Sequence, residues 1–165
     1  MTDCTIRPAT IDDLPAITRI YNQAVLTTTA TFDIEPKTPE DRRHWFRAHD
    51  SRHPVIVAEY NGIIVGWASL SKYCDRLAWD ITAEIAVYVE ESYRGMGFGR
   101  RLAEAIVAAG KEAGLHTLVS RIAEENIPSI KLTESLGFSH VGLLREAGRK
   151  FGRLIGVVYM QYIYE

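Results

Sequence analysis

The densest set of residues suited to chemistry is Arg94-Gly95-Met96-Gly97-Phe98-Gly99-Arg100-Arg101. Glycine lets a backbone approach a ligand closely, and arginine supplies fixed positive charge. An apolar stripe of helical period begins beside these glycines, so a helix N-terminus would aim its first, unpaired amides at the same point. That combination suits an anion, above all a phosphate. The same residues also describe an ordinary glycine-rich turn with solvated arginines. Spacing separates the phosphate binders. A nucleoside triphosphate loop needs a Lys-Ser or Lys-Thr pair, and a dinucleotide fingerprint reads G-x-G-x-x-G. Here the spacing is G-x-G-x-G.

Other reactive residue types are scattered. His44, His49, His53, His116 and His140 make no helical metal pair, and the only cysteines, Cys4 and Cys74, form no C-x-x-C. Neither a metal site nor a disulfide framework is expected. Phe32, Tyr73 and Trp79 are aromatic residues that could line a substrate pocket or simply belong to the core. With 165 residues, 47% of them hydrophobic, the chain is expected to form a single domain over 1–165. A formal net charge of -2 carries no basic footprint, so a nucleic-acid partner is not expected. No apolar run reaches the ~18 residues of a membrane span, and the polar start Met1-Thr2-Asp3 does not read as a signal peptide. These features predict a cytoplasmic protein acting on a small molecule, away from membranes.

The elements that must position the turn follow from periodicity. Thr5 to Arg7 reads as a strand. Thr10-Ile11-Asp12-Asp13 reads as a capping box opening a helix to about Val25, with Leu14, Ile17, Ile20, Tyr21 and Ala24 on one face. Leu26 to Lys37 is aperiodic, a loop that could serve as a substrate lid. A second helix starts at Thr38-Pro39. Val55–Glu59 and Ile63–Leu70 flank Asn61-Gly62 as a hairpin. After an irregular segment, Thr82 to Val89 is a strand that runs into the glycine turn. A helix then extends from about Gly99 to Ala113 and is stopped by Gly114. Thr117–Ile122, a short helix over Pro128–Leu136, and strands at Val141–Leu144 and Val157–Tyr164 complete the chain. The fold class is α/β in the α+β sense: a mixed, mostly antiparallel sheet flanked by helices, with one strand, helix, strand crossover.

Arg94-x-x-Gly97-x-Gly99 fits the pattern Arg/Gln-x-x-Gly-x-Gly/Ala, and in this the chain resembles the GNAT superfamily of N-acetyltransferases. It resembles more specifically the phosphinothricin and methionine sulfoximine N-acetyltransferase family. The similar blocks are Ile20–Val25, Thr82–Val89, the glycine turn, Glu125–Ile130 with Leu136-Gly137-Phe138, and Gly148–Arg153, in that order. The resemblance implies the GNAT fold with a β-α-β core that binds acetyl-CoA. It implies that the backbone of Val87, Tyr88 and Val89 pairs with the pantetheine arm and that Arg94, Gly95, Met96, Gly97, Phe98, Gly99 and Arg100 grip the pyrophosphate. Asn126 and Ser129 belong to the second cofactor motif, although Asn126 also reads as a plain helix N-cap.

The resemblance further implies acetyl transfer to a primary amine with Glu84 as base; as a strand residue, Glu84 could instead be an ion-pair partner. The loop holding Tyr73, Cys74 and Arg76 resembles the segment where relatives carry Tyr-Arg-x-Arg and hold a substrate carboxylate, with Cys74 replacing one arginine. Thr133 stands where relatives place histidine or tyrosine, Gly156 where they often place aspartate, and Leu154 where they place tryptophan. The acceptor could therefore be phosphinothricin, methionine sulfoximine, a polyamine or a peptide N-terminus. The chain could also be a non-catalytic acetyl-CoA sensor. Relatives are commonly homodimers, so a homodimer is expected, with Val157–Tyr164 either at its interface or inside the sheet.

Overall fold

A computed structural model describes residues 4–165; the reading of Met1–Asp3 lies outside them. The chain forms β1 (Cys4–Pro8), α1 (Leu14–Thr27), α2 (Pro39–Arg47), β2 (Val55–Tyr60) and β3 (Ile63–Lys72). It continues through β4 (Thr82–Val89), α3 (Phe98–Glu112), β5 (Thr117–Ala123), α4 (Ile127–Ser135), β6 (Ser139–Lys150) and β7 (Arg153–Ile163). The seven strands make one sheet in the order β1-β2-β3-β4-β5-β7-β6. Every neighbouring pair is antiparallel except β4 and β5, which the crossover through α3 makes parallel.

That parallel pair is short. Only Thr82, Ala83 and Glu84 pair with Thr117, Leu118 and Val119, after which the strands part. Beyond this point β4 stays paired to β3 up to Val89, and β5 stays paired to β7. A wedge opens inside the sheet, with Glu84 at its apex.

Hydrophobic burial covers both faces. One face carries Ala68, Leu70, Leu118 and Met160 against Leu102 and Ile106 of α3. The other carries Val55, Val57 and Trp67 against Leu14, Ile17 and Ile20 of α1. Strand alternation therefore assigns Ile85, Val87 and Val89 to the α3 side and Ala86 and Tyr88 to the α1 side.

Three boundaries differ from the sequence reading. The capping box at Thr10 opens a single 3-10 turn, Ile11–Asp13, before α1 begins. There the Asp13 carboxylate accepts from the Thr10 amide at 2.8 Å and from Arg7. The last two strands form one long hairpin, not two short runs. Its turn is Phe151-Gly152, both at positive φ (51° and 72°), and β6 is a sheet edge exposed from Ser139 to Ala147, so no alternation marks it. Val157–Tyr164 lies between β5 and β6, an interior position.

Candidate active site

A cleft of about 640 Å³ occupies the wedge. Its walls come from β4, β5, β7, α4 and the loop between α1 and α2, whose residues Thr29 to Asp33 all line it. Backbone alternation orients β4 toward this space. The Glu90 amide donates to Val65 of β3 at 2.8 Å, so the peptide groups of Val87 and Val89 turn the opposite way, into the gap. Arg94 Nε binds the Val89 carbonyl at 3.1 Å and ties the following turn to the strand end.

In the turn, Gly95 and Gly97 adopt φ of 76° and 88°, which glycine reaches without strain. Gly97 caps α3, and the first helical hydrogen bond runs from the Arg101 amide to the Gly97 carbonyl at 3.2 Å. The Phe98, Gly99 and Arg100 amides thus precede any intrahelical acceptor and converge at the positive end of the helix dipole. The side chains divide. Phe98 is core, with Tyr60 5.2 Å from its ring, while Met96 is exposed. Arg100 reaches Ser135 of α4 at 2.9 Å. Arg101 points elsewhere, donating to the Cys4 carbonyl of β1 at 3.0 Å, so it adds no charge at the turn.

Asn126 caps α4, its side-chain oxygen accepting from the Ser129 amide at 3.3 Å, and both residues line the cleft. Thr133, also in the cleft, is buried and donates to the Ser129 carbonyl at 2.7 Å, so its proton is committed to the helix. The Gly156 amide donates to Glu124 Oε1 at 2.9 Å. A Cβ at Gly156 would meet that carboxylate at 2.9–3.0 Å.

Glu84 lines the cleft from the wedge apex. Arg121 of β5 donates to both of its oxygens, at 2.9 and 2.7 Å, and this pairing raises the Arg121 guanidinium above its ordinary pKa. Glu84 is thus an ion-pair partner, and its partner Arg121 escaped the sequence reading. In the sequence, Arg121 is one charged residue in an apolar strand, and no spacing ties it to Glu84, 37 positions earlier.

The α1–α2 loop is fastened at several points. The Thr29 hydroxyl donates to Glu125 at 2.6 Å, and Arg153 binds the same carboxylate at 2.7 and 3.1 Å. Arg153 first, then Thr29, hold Glu125 down at a pKa of about 2. The buried Lys150 donates to the Thr31 carbonyl at 2.8 Å, and burial lowers its pKa. Tyr21 joins the hydroxyl of Thr31 at 2.9 Å and also donates to Asp33. Phe32 lines the cleft and packs over Gly148, where a Cβ would lie only 2.4 Å from its ring.

Tyr73, Cys74 and Arg76 are not in the cleft. Tyr73 packs on Trp79, with ring centroids 5.1 Å apart, in the segment between β3 and β4. Asp75 pairs with Lys72 and Asp80 with Arg52, so neither is an ion-pair partner of Arg76. Among the described residues, no group of three or more His, Cys, Asp or Glu side chains is placed to hold a metal ion.

The sequence is similar to those of known enzymes along nearly its whole length. It is 36% identical over 158 residues to the L-methionine sulfoximine/L-methionine sulfone acetyltransferase of Salmonella typhimurium, covering 95% of this chain and 92% of that one. It is 37% identical over 160 residues to the phosphinothricin N-acetyltransferase of Streptomyces coelicolor, covering 94% of each. The solved structure of YncA from Salmonella typhimurium, with its cofactor acetyl-CoA, matches with a TM-score of 0.95 at 35% identity, covering 98% of this chain and 94% of that one. The model of the acetyltransferase (GNAT) family matches residues 17–138. With the split sheet, the glycine turn and these similarities together, the chain belongs to the GNAT acetyltransferase family and is an acetyl-CoA-dependent N-acetyltransferase.

Proposed function

We propose that the protein acetylates the primary amine of a small amino-acid-like acceptor, phosphinothricin, methionine sulfoximine or a close relative, with Glu84 as the base. The observation that carries this reading is the position of Glu84 at the wedge apex, facing a cleft closed by the Thr29–Asp33 loop. The names of the relatives supply the acceptor class. The backbone of Val87 to Val89 holds the pantetheine arm, Arg94 to Arg100 hold the pyrophosphate, and Asn126 and Ser129 flank the path between. Bound acetyl-CoA supplies an activated acetyl group. The wedge-facing amides of β4 polarise its carbonyl, since a fixed donor in a dry site outperforms water.

An α-amino group with a pKa of about 7.7–8.0 is roughly a tenth neutral at pH 7, so a modest base is enough. Arg121 occupies one lone pair on each Glu84 oxygen. A carboxylate has about four such sites, which leaves room for an ammonium or a bridging water. Thr133, with its hydroxyl given to Ser129, is no acid. A thiolate leaving group, of ordinary pKa about 8.5, needs little help.

The test is thiol release from acetyl-CoA with a panel of amino acids, sulfoximines, sulfones and polyamines. Glu84→Gln should lower turnover by about a hundredfold or more while leaving acetyl-CoA affinity within about twofold. Unchanged turnover removes Glu84 from its role. Tight acetyl-CoA binding with no turnover on any amine favours the sensor reading.

The remaining features form part of the same proposal. One N-acetyltransferase domain spans residues 1–165, supported by a single sheet from Cys4 to Ile163. The protein works in the cytoplasm, apart from nucleic acid and membranes; no described helix is long and apolar enough to cross a bilayer. It acts as a homodimer, for which the exposed Val141, Leu143 and Leu144 on edge strand β6 offer an apolar surface. Sedimentation equilibrium giving a monomer mass would refute the dimer.

A further inference from the structure

Three side chains lining the wedge cleft carry formal charge: Asp33, Glu84 and Arg121. Arg121 is therefore the single cation among the described residues of its wall. Other basic groups on this side of the sheet are engaged or enclosed. Lys37 pairs with Asp33 at 3.5 Å, and the buried Lys150 donates to the Thr31 carbonyl. Arg42 of α2 is only 4% exposed and is walled in by Tyr21, Trp45 and Trp67. Tyr73, Cys74 and Arg76 stand outside the cleft.

Arg121 is open to a solute. Its side chain is 49% exposed, against 25% for Glu84. Leu118 and Ile122 of β5 and Ile85 and Val87 of β4 pack on the α3 side of the sheet. Strand alternation therefore projects Arg121 and Glu84 to the α1 side, where Tyr21 and Asp33 line the same cleft. The guanidinium also has donors to spare. Of five N–H groups on an arginine, one on Nε and one on Nη2 go to the two oxygens of Glu84. Tyr159, opposite Arg121 in the β5–β7 register, is the other group that raises its pKa. A phenol oxygen accepts at most two bonds, so at least one N–H is left for a ligand.

We propose that Arg121 is the specificity-determining residue of the acceptor site, holding the α-carboxylate of the acceptor with the N–H groups that Glu84 leaves free. In an α-amino acid the amine and the carboxylate sit on one carbon. An amine that docks on Glu84 thus brings its carboxylate to the guanidinium that Glu84 already binds. Ion pair and zwitterion meet with opposite charges facing, and no net charge is added to the cleft. Without Arg121 the cleft holds only the carboxylates of Glu84 and Asp33, which repel an acid. A diamine gains nothing from Arg121, because its second cation meets a like charge. The proposal rests on the acetyl-transfer reading for the fate of the amine, but the binding is measurable without turnover.

The experiment is calorimetric titration of the full-length protein, free and saturated with coenzyme A, with L-methionine sulfone, L-phosphinothricin and the α-carboxamide of each. At least one acid should bind about tenfold or more tightly than its amide, the scale of one charge-assisted hydrogen bond at a half-exposed group. An amide's amine is less basic than an acid's, so the decisive quantity is the change in preference between parent and variant, from which that difference cancels. Arg121→Gln should reduce the preference about fivefold or more, with acetyl-CoA affinity retained. Arg121→Lys, which keeps the charge and loses the fork, should keep part of it and is read alone if Arg121→Gln does not fold. In thiol release, Arg121→Gln should raise KM for the acids and leave KM for the amides in place. Equal binding of acid and amide by the parent overturns the proposal, as does an undiminished preference in a folded variant or no saturable heat with either acid. So does a fall in kcat that is the same for acid and amide with KM unmoved, the signature of an arginine that merely positions Glu84. Arg121-dependent acid binding without thiol release would sink the transfer role of Glu84 alone. Thiol release with the acid preference intact in Arg121→Gln would sink Arg121 alone.

Discussion

Gly99→Ala separates what the glycine turn does for folding from what it does for acetyl-CoA. Gly99 lies in the first turn of α3 with helical backbone. A Cβ there would meet Val89 Cγ2 at 3.7 Å and Leu132 Cδ2 at 3.9 Å, both ordinary contacts. Nothing in the free protein opposes the methyl group. Alanine is favoured over glycine in a helix by about 1 kcal/mol, and by less at its first turn. The free variant should therefore melt about 1–4 °C higher than the parent, given about 2–4 °C per kcal/mol for a chain of this size. The methyl group would nevertheless project into the gap between β4 and α4, beside the amides assigned to the pyrophosphate. Loss of one charge-assisted hydrogen bond costs about 1.5–3 kcal/mol, which is a tenfold to hundredfold rise in Kd.

Differential scanning fluorimetry of the free protein and calorimetric titration with acetyl-CoA measure the two effects independently. Gly114→Ala is the control. Gly114 has φ of 79° and open space around its missing Cβ, but stands at the far end of α3. It should lose about 1–2 kcal/mol to left-handed strain and keep its acetyl-CoA affinity. A Gly99→Ala variant with raised Tm and parental Kd would refute the assignment of the turn.

Two further expectations are independent of the cofactor. Gly66→Ala would put a Cβ 2.8 Å from Leu102 Cδ1 and 3.0 Å from the Tyr88 carbonyl oxygen. Such overpacking costs about 1–3 kcal/mol and lowers Tm by about 3–10 °C; an unchanged Tm would show that β3 and α3 are not this close. The Glu125 clasp gives a pH prediction. With a folded pKa of about 2 against an ordinary 4.5, Glu125 stabilises the loop fully above pH 4.5, and that contribution declines as pH falls and is gone once pH has passed below about 2. Its carboxyl carbon should not titrate between pH 5 and 3.5 by NMR, and a midpoint near 4.5 would mean that Arg153 and Thr29 do not hold it.

What was legible in the sequence was what local chemistry dictates. Asn61-Gly62 takes φ of 50° and 77°, as a tight hairpin demands, and joins β2 to β3. Thr82–Val89 is β4 to the residue, because turn-formers bound an apolar run on both sides. Gly97 and Gly114 bracket α3 at positive φ. The final hairpin was only partly legible, since β6 is an edge strand rich in charge and its turn opens with Phe151, a residue that seldom adopts positive φ. Arg42 defeated the reading for a different reason. On a nine-residue helix with sequence PEDRRHWFR, an arginine is expected in solvent. Only the meeting of α1, α2 and β3 encloses it among Tyr21, Trp45 and Trp67.

The two ends of the reaction are thus encoded in different ways, and this changes the meaning of the residues that depart from the family pattern. On the proposed reading, cofactor binding relies on backbone amides, so glycine spacing over a few positions is enough to specify it and one motif reveals it. On the same reading the acceptor end is lined by side chains from β4, β5, β7 and the α1–α2 loop, so a residue missing from one position can be matched from another. Gly156 illustrates the point. The aspartate common among relatives is gone, but the Glu124 carboxylate lies 2.9–3.0 Å from where its Cβ would be and takes the Gly156 amide proton at 2.9 Å. A negative charge persists there on a different backbone. Restoring aspartate at 156 alone would set two carboxylates against each other, so Gly156→Asp should destabilise the protein unless Glu124 is shortened as well.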